Sequence, residues 1–161
     1  MRLGAGFSLV ELMVVLVVIA LTMLAAVPAV QERETRKQIE ESFALAQVAQ
    51  QPVAAAWALG QPLPSDNAAA GLPSSSKMVS GLVSSVEVEH GAIHITYGNQ
   101  SHTVLHGKVL SLRPAVVTGS PVVPIAWVCG YLDAPGGMSV SGANRTTINT
   151  YLLPFQCRGK T

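Results

Sequence analysis

Residues 7–30, FSLVELMVVLVVIALTMLAAVPAV, decide how this 161-residue chain is organised. The stretch is apolar almost throughout and carries one charged side chain, that of Glu11. As an α-helix, roughly 24 residues at about 1.5 Å each extend about 36 Å, which exceeds the ~30 Å hydrocarbon core of a bilayer. The stretch therefore predicts a transmembrane helix.

The residues around this span are not arranged as in a secretory signal peptide. A signal peptide places its small-residue cleavage site after the apolar core, whereas Gly4, Ala5 and Gly6 precede the core here. Glu11 is the second unusual feature, because a carboxylate in a lipid-facing helix costs on the order of 2–3 kcal/mol to insert. Such a charge indicates a function with a partner, and the alternative is that Glu11 lies shallow, near the headgroups.

The leader and the start of the span carry a family resemblance. A short leader with a basic residue, Arg2, precedes the string GFSLVELMVV at residues 6–15. This string resembles the processing and assembly signature of type IV pilins and related pseudopilins. The resemblance implies that residues 1–6 are a leader peptide, and that a prepilin peptidase cuts between Gly6 and Phe7 and methylates the new N-terminus at Phe7.

The same resemblance implies roles for two further residues of the span. Glu11 would pair with the N-terminal amine of Phe7 on an adjacent subunit during assembly into a helical homo-oligomer. An unmatched charge in a low-dielectric core costs several kcal/mol, so this pairing would fix the offset at which subunits dock. Pro28 matches the position at which pilin helices lose helical order in filaments, and is the predicted helix break.

The remaining segments predict an α+β fold, which the resemblance implies is the pilin fold. Residues 31–59 continue the helix with an apolar face and a charged face, and residues 60–81, rich in Pro, Gly and Ser, form a connecting surface loop. Residues 82–161 form a four-stranded antiparallel sheet, on which the long helix packs, and a C-terminal disulfide-bonded loop. The predicted apolar face consists of Ile39, Phe43, Ala46, Ala49 or Gln50, Val53 and Trp57, and the predicted strands are residues 83–89, 92–97, 108–113 and 122–128, with a hairpin turn at His90 and Gly91.

The two cysteines of the chain, Cys129 and Cys157, lie near the C-terminus. In a domain outside the cytosol they predict one disulfide, and the alternative is two free buried thiols. Closing a loop of about 29 residues would contribute roughly 3.6 kcal/mol in the chain-entropy description. Residues 127–129, WVC, and 151–158, YLLPFQCR, also resemble the C-terminal disulfide region of type IVa pilins, which major secretion pseudopilins typically lack.

The charges beside the span conflict with the topology that the resemblance implies. The positive-inside rule weighs Arg2 against Arg33, Arg36 and Lys37, and alone it would place the C-terminal domain in the cytoplasm. The cysteine pair and the processing signature imply the opposite orientation. We therefore predict a single-pass inner-membrane precursor with a periplasmic domain, and an extracellular filament after assembly by the inner-membrane pilus machinery.

Composition and motifs argue against an enzyme or a metalloprotein. A net charge of +1 with 12% charged residues is untypical of a polybasic nucleic-acid binder. The sequence lacks a Gly-x-Ser-x-Gly elbow, a phosphate loop and a His-Glu-x-x-His helix, so no catalytic residue or cofactor is predicted. The four histidines have no carboxylate or cysteine at ligand-like spacing, so we predict solvated side chains and no metal site for His90, His94, His102 and His106.

The predicted function is that of a structural subunit of a type IV pilus, which supports adhesion, twitching motility or DNA uptake. The main alternative is a minor or DNA-receptor pilin, with Arg145, Arg158 and Lys160 as candidate contacts for DNA phosphates. A type II secretion pseudopilin is a third alternative.

Overall fold

One long helix and an antiparallel sheet make up most of the regular structure. The structure, a computed structural model, describes residues 8–159 and, within them, every side chain except those of residues 24–29. The chain divides into two units, the first ending at Glu34 and the second beginning at Thr35. The helix α1 (Leu9–Ala58) contributes residues to both units.

In the first unit, the side chains of residues 9–23 are all exposed. Among the residues that the structure describes, no helix is both long and apolar enough to cross a bilayer. The predicted span 7–30 includes Phe7 and the side chains of 24–29, which lie outside the described residues, and it stays a prediction. The backbone is helical at residue 28. The break expected at Pro28 concerns the assembled filament and likewise stays a prediction.

In the second unit, α1 buries the face that the residue spacing predicts. Ile39, Ala46, Ala49 and Val53 are fully buried, while Phe43 and Trp57 are partly buried. A polar side chain joins this face, because Ser42 is also buried and bonds to Tyr97 of the sheet. The spacing prediction is confirmed, with one polar addition that the pattern of apolar residues does not reveal.

The sheet contains the four predicted strands and one short addition. Its strands are β1 (Val83–Glu89), β2 (Ala92–Tyr97), β3 (Val109–Val116), β4 (Ala126–Cys129) and β5 (Ser139–Val140). The first four are antiparallel neighbours in chain order, and β5 pairs with the C-terminal end of β3. A strand of two residues carries no alternation to read, which is why β5 was not predicted.

The fourth strand begins later than predicted, at Ala126 instead of Val122. Pro121 lies directly before the predicted segment and Pro124 lies within it, and neither has a backbone N–H to donate to a ladder. The carbonyl of Val123 accepts a bond from Trp57 Nε1 at 2.9 Å instead. This segment therefore fastens the C-terminal end of α1 rather than extending the sheet.

The predicted hairpin between β1 and β2 is confirmed. His90 and Gly91 both have positive φ, 49° and 82°, as a two-residue type I′ turn requires. The side chains that the alternation predicts to be buried, Val86, Val88, Ile93, Ile95 and Tyr97, are all buried. They pack with Leu110 and Leu112 of β3 and with the buried face of α1.

One side chain of the loop between α1 and β1 pairs with the outer edge of the sheet. Asn67, only 7% exposed, accepts a bond from the backbone N–H of Val88 at 2.6 Å and donates to the carbonyl of Val86 at 3.0 Å. These are the backbone groups that β1, as an edge strand, would otherwise leave unpaired. The amide of Asn67 therefore acts as a short substitute for a neighbouring strand.

Candidate functional site

The first candidate surface is the N-terminal part of α1. Its apolar side chains are exposed, with Leu9 at 76% and Val10 at 66%. Val10, Met13, Val14 and Val17 recur at helical spacing and line a shallow apolar groove. Glu11, in the first turn, is exposed among them. So large an apolar surface indicates a site that contacts lipid or other protein chains.

The processing residues cannot be placed on this surface. Gly6 and Phe7 lie outside the described residues, so the predicted cut between them and the methylation of Phe7 stay predictions. The predicted pairing of Glu11 with the amine of Phe7 involves the same residues.

The second candidate surface surrounds the disulfide. Cys129 and Cys157 are bonded, which confirms the predicted disulfide and excludes two free thiols. The N–H of Tyr131 donates to the carbonyl of Cys157 at 3.0 Å. Gly130, which lies between Cys129 and Tyr131 in the sequence, has φ 56°, and an added Cβ would lie 2.7 Å from the Cys157 carbonyl oxygen. Only glycine fits this close approach without a shift of the backbone.

Two aromatic side chains are exposed beside the disulfide. Tyr151 is 53% exposed and Phe155 is 89% exposed. Together with Leu132 and Arg158 they line a cavity of about 710 Å³. Exposed aromatic rings of this kind are frequent at recognition surfaces.

The three candidate DNA contacts have different surroundings. Arg158 donates to the carbonyls of Leu153 at 2.8 Å and Tyr151 at 3.0 Å. Arg145 forms an ion pair with Glu87 at 2.9 Å, and Glu89 lies 3.5 Å away. Lys160 lies outside the described residues.

These contacts bear on the charge of the predicted DNA-binding patch. The guanidinium of Arg145 is offset by two carboxylates and presents little net positive charge. Arg158 bonds to two backbone carbonyls, and no carboxylate among the described residues offsets its charge. It lies next to the exposed rings of Tyr151 and Phe155.

The prediction of solvated histidines is wrong for His94. Its side chain is buried, with Nδ1 2.9 Å from Ser111 Oγ and Nε2 3.1 Å from Glu89 Oε2. Burial lowers the pKa of His94, the Arg145 cation lowers it further, and Glu89 and Glu87 oppose this shift. His90 and His106 are exposed, as predicted, and His102 is partly exposed.

The alternation of β2 does place His94 opposite Ile93 and Ile95, on the face of the sheet away from α1. The sequence does not show that a later segment of the chain covers this face. That cover, supplied by residues 142–147, is what buries the imidazole.

Ser111, His94 and Glu89 stand in the order of a catalytic triad but lack room for a substrate. Ser111 is fully buried, and its Oγ already accepts a bond from the backbone N–H of Arg145 at 2.8 Å. A nucleophilic hydroxyl needs open space within reach of the attacked carbon. The three side chains therefore form a structural network. Within residues 8–159, no three His, Cys, Asp or Glu side chains are grouped to hold a metal ion.

Comparison with known proteins agrees with the helix, the sheet and the disulfide. Residues 35–158 match the family model for pilin, a bacterial filament protein, and residues 1–27 match the prokaryotic N-terminal methylation motif. The chain belongs to the pilin family. The predicted resemblance and the predicted fold class are therefore both confirmed.

A type IV major pilin and several fimbrial proteins are similar to this pilin. The type IV major pilin protein PilE of Neisseria gonorrhoeae is 32% identical over 162 residues, which cover 97% of this chain and 95% of that protein. A fimbrial protein of Neisseria meningitidis serogroup A is 30% identical over 165 residues, with 97% and 95% covered. The fimbrial protein EcpC of Eikenella corrodens is 32% identical over 127 residues, with 77% and 80% covered. These similarities support the function of a pilus subunit.

Proposed function

We propose that this pilin is a structural subunit of a type IV pilus that polymerises through its N-terminal helix once the leader has been removed between Gly6 and Phe7. The observation that carries the proposal is the run of exposed apolar side chains at residues 9–23, which is interrupted by a single acid, Glu11. This run lies within residues 1–27, which match the methylation motif. Its exposed surface is suited to burial first by lipid and then by the helices of other subunits.

In this proposal, the subunit is stored in the membrane before it is assembled. The precursor spans the inner membrane once, with its second unit in the periplasm, and the pilus assembly machinery extracts it into an extracellular filament. Lipid and neighbouring helices are similarly apolar, so the transfer leaves the apolar side chains in an equivalent environment. A charged side chain is different, because it needs a specific partner in the filament core. Glu11 is the charged side chain that needs such a partner, and the amine of the mature N-terminus at Phe7 of an adjacent subunit is the partner that we propose.

The substitution Glu11→Ala tests this mechanism. The leader should still be cleaved and the protein should stay membrane-bound, but filaments should be absent, because no charge selects the docking offset. Glu40→Ala, at an exposed acid of α1 in the second unit, is the matched control and should assemble normally. Gel mobility, membrane fractionation and electron microscopy of negatively stained cells provide the three measurements. Abundant normal filaments from Glu11→Ala would refute the role of this carboxylate.

Adhesion, twitching motility and DNA uptake are the roles that we propose for the filament. DNA uptake is the role for which a described surface offers support, because it requires DNA binding, and Tyr151 and Phe155 expose rings for base stacking next to Arg158. In that case, Arg158→Ala should weaken salt-sensitive binding of single-stranded DNA by the detergent-solubilised chain. Arg145→Ala should change it less, because Glu87 and Glu89 already offset the charge of Arg145. Equal affinities for the parent chain and Arg158→Ala would remove the DNA contact from the proposal.

A further inference from the structure

A segment near the C-terminus, residues 142–147, covers the face of the sheet opposite α1. We call this segment the strap. It is fixed mainly to β3: the N–H of Thr147 donates to the carbonyl of Val109 at 2.9 Å, and the N–H of Ser111 donates to Thr146 Oγ1 at 3.1 Å. Ser141, directly before the strap, donates its N–H to the carbonyl of Pro114 at 2.9 Å. The strap therefore occupies backbone positions of β3 that β4 does not reach.

Five polar side chains hold the centre of the strap against the sheet. Glu87 and His94 are direct cross-strand partners, as are His94 and Ser111, so these three form a row across β1, β2 and β3. Arg145 of the strap reaches back over this row to Glu87, and Glu89 lies between Arg145 and His94. We call the set Glu87, Glu89, His94, Ser111 and Arg145 the latch.

The hydrogens of the latch are consistent with a neutral imidazole. The backbone N–H of Arg145 donates to Ser111 Oγ, so the hydroxyl hydrogen of Ser111 is free to donate to His94 Nδ1. The Nε2–H of His94 then donates to the carboxylate of Glu89. Every donor in this series of hydrogen bonds has an acceptor, and the series ends on the carboxylate of Glu89.

A protonated imidazole breaks this chain of hydrogen bonds. Nδ1 would become a donor, so Ser111 Oγ would receive N–H bonds from both His94 and Arg145, and the hydroxyl hydrogen of Ser111 would lose its acceptor. The new cation would also lie close to the guanidinium of Arg145. The groups that face His94 are the carboxylates of Glu87 and Glu89 from β1, the guanidinium of Arg145 from the strap, and the hydroxyl of Ser111 from β3. The carboxylates favour the proton, whereas burial and Arg145 oppose it.

We propose that the latch is acid-sensitive, and that the strap opens from β3 when His94 takes up a proton. An open strap gives the imidazolium access to water and moves the Arg145 cation away, while Glu89 stays as its partner. Proton uptake therefore favours the open form. The closed form dominates above the ordinary pKa of histidine, and its population decreases as the pH falls below that value.

The opening is local, because the strap lies inside the loop that the disulfide closes. Cys129 and Cys157 stay joined on either side of residues 142–147, so the rest of the sheet and α1 keep their contacts. Opening would free the N–H groups of Val109 and Ser111 and the carbonyl of Val109. Unpaired groups along a strand are a template for pairing with another chain. At acid pH, the edge of β3 at Val109 and Ser111 would thus become available for pairing with another chain, whereas at neutral pH the strap occupies it.

Hydrogen exchange of the full-length chain in detergent micelles tests the proposal. Protection factors, which correct for the pH dependence of intrinsic exchange, are compared at about pH 7.5 and about pH 5. The amides of Arg145 and Thr147 report on the strap, and that of Ile95 in β2 reports on the sheet. We expect the strap amides to lose protection several-fold in acid while the Ile95 amide keeps its own.

Three variants complete the test. His94→Gln, which cannot take up a proton, should keep the same strap protection at both pH values, and the matched control His90→Gln at the exposed turn should behave as the parent chain. Should His94→Gln fail to fold, Arg145→Ala provides an independent readout, because it removes the ion pair and should lower strap protection at both pH values. Equal protection of Arg145 and Thr147 at both pH values in the parent chain would overturn the proposal, as would a loss shared equally by Ile95.

Discussion

The hydroxyl groups of Ser42 and Tyr97 lie 2.7 Å apart in the interior, and they join α1 to β2 by a polar contact within an apolar core. Ser42 Oγ also lies 2.6 Å from the carbonyl of Ile39 and donates to it. The Tyr97 hydroxyl is therefore the donor to Ser42. Burial raises the pKa of Tyr97, with Ser42 opposing the shift, so this hydroxyl keeps its proton in the physiological range.

This donor–acceptor order predicts an asymmetry between two substitutions. Tyr97→Phe removes a donor and leaves Ser42 still bonded to Ile39, so it should lower the free energy of unfolding by about 0.5–1.5 kcal/mol. Ser42→Ala leaves the buried hydroxyl of Tyr97 without its acceptor and should cost about 1–3 kcal/mol. Urea denaturation followed by circular dichroism measures both values. A larger loss for Tyr97→Phe than for Ser42→Ala would contradict the assignment of the donor.

Asn67 provides a second prediction, at the outer edge of β1. Asn67→Ala removes the partner of the Val88 N–H and the Val86 carbonyl, and we expect a loss of about 1–3 kcal/mol in the free energy of unfolding. Asn67→Asp should be at least as harmful, because a carboxylate cannot donate to the Val86 carbonyl. Asn149→Ala is the control, since Asn149 is exposed and its side chain makes no capping bond to the turn that follows it. A loss equal to that of the control would show that the loop does not depend on Asn67.

The residues of these two contacts also show what the sequence can and cannot predict. Alternation placed Val86, Val88, Ile93 and Ile95 in the core, because a strand with one buried face repeats every two residues. Helical spacing placed Ile39 and Val53 in the same core. Both patterns depend on neighbours along the chain.

Contacts between distant segments leave no such pattern. Ser42 and Asn67 read as surface residues by composition, and their burial depends on Tyr97 and on β1 lying opposite them. The burial of His94 depends on the strap, about 50 residues later in the chain. For the surfaces implicated in function, the sequence predicted the apolar helix with Glu11 and the disulfide. It did not predict that Arg145 forms ion pairs with Glu87 and Glu89.

Gly130 gives a third prediction, which concerns the disulfide. Gly130→Ala would place a Cβ 2.7 Å from the carbonyl oxygen of Cys157 at a residue with positive φ, so both sterics and conformation oppose it. We expect lower stability, by about 1–3 kcal/mol, and slower formation of the disulfide during oxidative refolding. Gly136→Ala is the matched control in the same loop, because its added Cβ meets open space. Thiol alkylation followed by mass spectrometry measures the fraction oxidised, and equal rates for the two variants would contradict the prediction.

Processing of the leader is the subject of a fourth prediction. Gly6→Val should block cleavage before Phe7, because the peptidase of the matched motif is expected to require a small residue at this position. The precursor should then appear as one unshifted band on a gel, with no methylated Phe7 at its N-terminus by mass spectrometry. Gly4→Val, within the leader but away from the cut, is the control and should be processed. A mature band of normal mobility from Gly6→Val would place the cut elsewhere.

The pKa of His94 makes a fifth prediction, for the stability of the whole domain. Burial holds the pKa of this imidazole below that of the unfolded chain, about 6.5, so the unfolded state binds the proton more readily. The contribution of His94 is therefore complete above about pH 6.5 and decreases as the pH falls through and below this value. Between about pH 7.5 and about pH 5, the parent chain should lose more free energy of unfolding than His94→Gln does, because both share the titration of all other groups. Parallel pH profiles of the two chains would show that His94 is not the group responsible, since glutamine cannot titrate.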